Sequence, residues 1–173
     1  MKNLKFILLL FVLPFISCNS DDDDSNKKDN NESEFYYEFF TNSKIEIGSE
    51  NNISVAKIKE GEKTVFRYIF NTEGSPNISD DEIKNILVFE IPSNINQFKF
   101  VNKEILKASA YYRSICFCAD VSNIAIEEGK ISGEKIDSNT WKVYVDIIIS
   151  NEFGDNKVSF KNSFKKSFLL GFK

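Results

Sequence analysis

Apolar and polar positions alternate most regularly near the C-terminal end of the chain. In WKVYVDIII, Trp141, Val143, Val145, Ile147 and Ile149 fall on one side, and Lys142, Tyr144 and Asp146 on the other. A period of two marks a strand with one buried face. KVSFKNSFKKSF repeats the pattern, with Val158, Phe160, Phe164 and Phe168 opposed to Lys157, Ser159, Lys161, Ser163, Lys165 and Ser167. The turn-rich NEFGDN between them predicts an antiparallel hairpin. GKISGEKIDSNTW predicts a further strand and a short turn ahead of Trp141, so the C-terminal half reads as an antiparallel meander.

The N-terminal half follows the same logic. FYYEFFT (35–41) and KIEIG (44–48) have strand character. ISVAKI and TVFRYIFN flank KEGEK, which predicts a second hairpin. ILVFEI (86–91) is a short apolar run ended by Pro92. Eight to ten strands with short turns predict an all-β domain, an antiparallel β-sandwich or small β-barrel.

One short helix is predicted near 79–87. In SDDEIKNIL, Ser79 and Glu82 have capping-box spacing, Asp80 and Asp81 complement the positive end of the helix dipole, and Ile83, Ile86 and Leu87 give an apolar side. Asp80, Asp81 and Glu82 also form an oxygen set of the kind calcium takes, but capping accounts for all three without a metal. NKEILKASA (102–110) is a weaker candidate, either a helix or a turn into the next strand.

A different pattern occupies the first 34 residues. Lys2 and Lys5 precede an eleven-residue apolar run, Phe6 to Ile16, broken only by Pro14. A membrane-spanning helix needs roughly 20 apolar residues, whereas a secretory leader has this length and these flanks. Then comes FISC, with Ser17 before Cys18. It resembles the lipobox of bacterial lipoproteins, although Phe15 stands where that family most often has Leu. The resemblance implies a leader over 1–17, cleavage before Cys18, a diacylglycerol thioether on its sulfur and commonly an acylated (palmitate-type) amine. Two or more chains hold a protein stably on a membrane, whereas one does so only marginally.

Residues 18–34 read as a lipidated Cys and an acidic tether. Residues 19–34 carry a net charge of −5, whereas residues 35–173 carry only −1. With no apolar side chain after the Cys, this segment has nothing with which to offset ordering entropy and is predicted to be disordered. Asp21, Asp22, Asp23 and Asp24 resemble the surface-export signal of Bacteroidetes lipoproteins, in its Ser-Asp-rich flavobacterial form. That resemblance implies an outer-membrane protein displayed at the cell surface.

Residues 35–173 then form a single β-rich domain, long enough to bury a proper core. Its near-neutral charge lacks the basic stripe of a nucleic-acid binder. The whole chain contains no His, which removes the commonest general acid–base residue and the commonest zinc ligand. Cys116 and Cys118 in SICFCAD would share one face of an extended strand. They are expected as buried thiols or, if the chain bends there, as a local disulfide, with a redox or metal site as the remaining alternative, for which two soft ligands without His are a poor set. Paired acids (Glu60/Glu62, Glu127/Glu128, Asp80/Asp81) fall in predicted turns or a helix start, where solvation explains them. Arg67 and Arg113, the only arginines, lie within aromatic strands, where either could anchor a ligand carboxylate but stacking or pairing with an acid is the expected role.

These features predict no catalytic residue, metal or cofactor. They fit a non-enzymatic binding or structural module, attached to the membrane through its lipid, with a glycan or protein ligand. The alternative is a calycin-like β-barrel carrying a small apolar ligand.

Overall fold

The computed structural model describes residues 33–50, 52–72, 82–116, 119–120, 124–151 and 154–169. Contacts along the chain divide it into two units, Met1–Asn30 and Asn31–Lys173, and the second is described here. The predicted leader, Cys18, the aspartates 21 to 24, Ser79, Asp80, Asp81 and Cys118 lie outside the described residues.

The strands are β1 (Glu34–Glu50), β2 (Ile53–Glu60), β3 (Lys63–Asn71), β4 (Ile83–Pro92), β5 (Gln97–Val101), β6 (Tyr111–Cys116), β7 (Ala119–Asp120), β8 (Ile124–Ala125), β9 (Glu128–Asp137), β10 (Thr140–Asn151) and β11 (Gly154–Lys166). They form one curled sheet, a half-barrel, in the order β5-β9-β10-β11-β1-β3-β4-β6-β7, with β2 beside β1 and β8 beside β6. The all-β expectation holds. The sheet is mixed rather than wholly antiparallel, because β1 and β11 pair in parallel at Glu38↔Lys165 and Phe39↔Lys166.

The C-terminal hairpin runs from Thr140↔Lys165 to Asn151↔Gly154, and β9 extends it into the predicted meander. Trp141, Val143, Val145, Ile147 and Ile149 are all buried, as their alternation requires. On β11, Phe164 is buried and Val158 and Phe160 pack against the core. Phe168 departs from the expectation. It lies beyond the end of β11 and is 77% exposed, so the strand ends before the period-two pattern does.

Two further corrections concern the N-terminal half. Ile83 to Leu87 are not helical; they lie in β4, and Lys84 to Leu87 pair in register with β3, from Asn71↔Lys84 to Tyr68↔Leu87. The capping residues offered local stabilisation, but cross-strand burial of Leu87, Val88 and Phe89 outweighs it. The one helix among the described residues is a 3-10 helix, Asn102–Ala108, where the weaker candidate stood. It follows β5 and buries Ile105 and Ala108.

KEGEK does not close a hairpin between β2 and β3. Both strands pair with the 17-residue β1, β3 with its first half and β2 with its second. β2 and β3 are thus one line of chain interrupted at Gly61–Glu62, opposite a bulge in β1 between Phe40 and Ser43, where Asn42 has φ 53°. A bulge bends the strand that carries it. Gly61 sits where an added Cβ would lie 2.7 Å from Lys44 Cβ, and its amide donates to the Asn42 carbonyl (3.0 Å).

Beyond the bend, the β1–β2 arm approaches the outward side of β4. The Ile45 amide donates to the buried Glu90 carboxylate (2.8 Å), which also receives Lys63 Nζ (2.6 Å) and the Ser109 hydroxyl (3.0 Å). Glu50, held below the usual carboxylate range mainly by its hydrogen bond and charge pairing with Lys57, is lowered further by the Arg113 guanidinium. The arm is therefore fastened at Glu90 and electrostatically linked to β6.

The core is aromatic. Phe66 lies within 4.8–6.0 Å, centroid to centroid, of the Phe39, Phe89, Phe98, Trp141 and Phe164 rings. Offset-stacked and edge-to-face contacts of this kind add to the area buried. Tyr37, Tyr68 and Phe160 extend the cluster.

Burial, and then the neighbouring Tyr37 and Tyr112, push the Tyr68 phenol up to about 12. The fold thus favours the neutral phenol. That contribution is complete below pH 10, the ordinary tyrosine value, and is lost as pH rises through about 12. Alkaline titration followed at 295 nm should show a late-ionising phenol that Tyr68→Phe removes. Ionisation of every tyrosine near pH 10 in the folded protein would contradict this burial.

Candidate functional site

The interior formed by the described residues is filled with interlocking rings, so the candidate site lies on the outside of the half-barrel. The outward face of β5, β9, β10 and β11 carries an open concavity of about 800 Å³. Strand register explains its composition. Lys99, Ser132, Tyr144 and Lys161 form one row straight across the four strands. Gln97, Glu134, Lys142 and Ser163 form the adjacent row, and Val101, Lys130, Asp146 and Ser159 the row on the other side. These residues alternate with buried Ile131, Val143 and Val145, which fix the face they present.

Lys99, Lys130, Lys142 and Lys161 line the concavity with a single acid, Glu134. Asp146, in the flanking row, is already paired with Lys157, Oδ1 to Nζ at 2.9 Å. That pairing holds the Asp146 carboxyl below its ordinary range and raises Lys157, so this acid is engaged by a fifth lysine outside the concavity. Among the described residues, none of the four forms an ion pair. Lys130 Nζ lies 5.2 Å from the centroid of the Tyr144 ring, a cation–π arrangement at the centre of the face. The Tyr144 hydroxyl donates to Asp146 Oδ2 (3.3 Å).

Gly133 shapes the floor. A Cβ there would lie 2.7 Å from the Phe98 ring, so the missing side chain lets β5 press its aromatic against β9. The result is a shallow, water-accessible surface with four ammonium groups, polar atoms from Ser132 and Gln97, and one half-buried tyrosine. It can attract and hold an anion.

The residues singled out in the sequence lie elsewhere. Arg67 donates from Nε to Glu38 Oε2 (2.9 Å) and lies 4.9 Å from the Phe40 ring centroid, so it both pairs and stacks. Arg113 is on β6, near Glu50. Glu60 and Glu62 are exposed at the bend between β2 and β3, beside a second open depression with Thr41 and Phe168; Glu127 is exposed just ahead of β9 and Glu128 at its first position. Among the described residues, no group of three or more Cys, Asp or Glu is placed to hold a metal ion.

Cys116 is the last residue of β6 and pairs with Ala119 of β7. Cys116 is disulfide-bonded, and its partner lies outside the described residues.

The four lysines were not visible as a group in the sequence. Lys142 and Lys161 showed only as the solvated side of two alternating strands, and Lys99 and Lys130 are 31 residues apart. No family model matches the chain, and neither a curated protein nor a solved structure is significantly similar to it.

Proposed function

We propose that this chain is a non-enzymatic binding module of a bacterial cell surface, anchored by lipid at Cys18 and held off the membrane by its acidic tether. Its ligand is a glycan of the envelope or surroundings, taken up on the outward face of β5, β9, β10 and β11. Asp21, Asp22, Asp23 and Asp24 serve as spacer and export label. No catalytic group, metal or cofactor enters this reading.

The observation that carries the reading is where space is found. Phe39, Phe66, Phe89, Phe98, Trp141 and Phe164 pack the inside of the curl, whereas the open volume of about 800 Å³ lies outside. A carrier of a small apolar ligand needs an enclosed apolar cavity. The ring-filled interior therefore favours the module over the carrier.

A thermal-shift screen of residues 19–173 separates the two. The expected result is a raised melting temperature with a soluble glycan and no shift with fatty acids. A shift confined to fatty acids would replace the module with the carrier.

A further inference from the structure

Resting on that reading, we infer that the lysine face binds an acidic polysaccharide, a polymer with repeated carboxylate or sulfate groups, rather than a neutral glycan. Residues 35–173 have a net charge of only −1, yet four lysines and one acid meet in a single concavity. Charge is concentrated there by register, not by composition. Asp146, in the flanking row, is ion-paired with Lys157, so the one acid within the concavity is Glu134.

Spacing points to a polymer. Neighbouring strands lie about 4.8 Å apart, so Lys99 and Lys161, at the two ends of one row, are separated by about 14 Å. Lys130 and Lys142 lie on opposite sides of that row, about 13 Å apart along the strands. Four spread, hydrated ammonium groups on an open surface hold any one anion weakly. A chain presenting an acid group on successive sugars engages several at once, and each contact raises the effective concentration of the next.

What lies between the charges narrows the class. The concavity contains lysines and no arginine, and a lysine is a hydrated point charge that imposes no planar fork on its anion. A domain whose residues 35–173 carry a net charge of −1 lacks the broad basic surface that the dense charge of a nucleic acid calls for. Ser132, Gln97 and the Tyr144 ring lie between the charges and offer sugar hydroxyls and an apolar ring face their own contacts.

The test uses residues 19–173 and four probes: polygalacturonate, dextran, phosphatidylglycerol vesicles and a thymidine oligonucleotide. Polygalacturonate is expected to bind, weakening as salt screens the face, and dextran not to bind. Lys99→Gln, Lys142→Gln and Lys161→Gln combined should weaken binding by about threefold to a hundredfold at an unchanged melting temperature, each exposed ion pair being worth a factor of about 1.5–5. Glu134→Gln should strengthen it, an effect that a purely structural role would not produce.

Equal polygalacturonate binding by the triple variant would overturn the site. Equal affinity for dextran would overturn the acidic class and leave the module standing. Binding to vesicles or the oligonucleotide with none to polygalacturonate would overturn the inference in favour of that partner. The module itself fails separately, through the fatty-acid result of the thermal screen.

Discussion

Phe66→Ala is expected to lower the folding free energy by about 3–5 kcal/mol, the usual cost of deleting a fully buried aromatic side chain. Small domains are stable by only about 5–15 kcal/mol, so this one change removes a large part of the margin. Phe66 is completely buried, and its ring contacts five others, contributed by β1, β4, β5, β10 and β11. Those strands lie on both sides of the parallel β1–β11 junction, so the cavity would weaken the two halves of the curl together. Urea unfolding measures the effect. Phe168→Ala, at a position 77% exposed, is the control and should change stability by less than about 0.5 kcal/mol. A Phe66→Ala cost below about 1 kcal/mol would mean that the rings do not interlock as described.

The second large effect is expected at Glu90. Its carboxylate is 5% exposed and receives donors from three separate parts of the chain: the β1 arm at Ile45, β3 at Lys63 and the residue after the 3-10 helix at Ser109. Ser109 has φ 45°, a left-handed conformation uncommon outside glycine, and its hydroxyl bond to Glu90 helps to hold it there. Glu90→Ala leaves the Ile45 amide and the Ser109 hydroxyl without their acceptor. Each buried donor left unmet costs about 1–3 kcal/mol. The Lys63 ammonium is 46% exposed and rehydrates, so the ion pair itself adds little. The expected loss is about 2–4 kcal/mol, with Glu90→Gln milder because its carbonyl can still accept from Ile45. The distinguishing readout is hydrogen exchange. Amides of β2 and the second half of β1 should lose protection before those of β10 and β11. Uniform loss of protection across the sheet would show that Glu90 does not fasten the arm.

The clearest agreement between sequence and structure is the β10–β11 hairpin. There, neighbours in sequence are partners in space, and a strict period of two lets burial determine both faces. Arg67 was legible for a related reason, since Glu38 and Phe40 lie on the strand that pairs with its own. Legibility failed where two local preferences competed. SDDEIKNIL carries real capping chemistry, yet Leu87, Val88 and Phe89 gain more from burial between β3 and β6 than a short helix could return. KEGEK has the composition of a turn, but β1 is long enough to pair with both flanking strands, so the chain bends without reversing.

By itself, the sequence determined the all-β class, the inward set of the C-terminal strands and the division between an acidic N-terminal segment and a nearly neutral domain. Each is a matter of composition or of period along the chain. Only the tertiary structure decided the mixed curl, the bent arm held at Glu90 and the four-lysine face. The face depends on register across β5, β9, β10 and β11, which brings Lys99 and Lys161, 62 residues apart, into one row. No local pattern encodes that meeting, because it arises when strands bury their apolar sides together and so carry their polar sides into alignment.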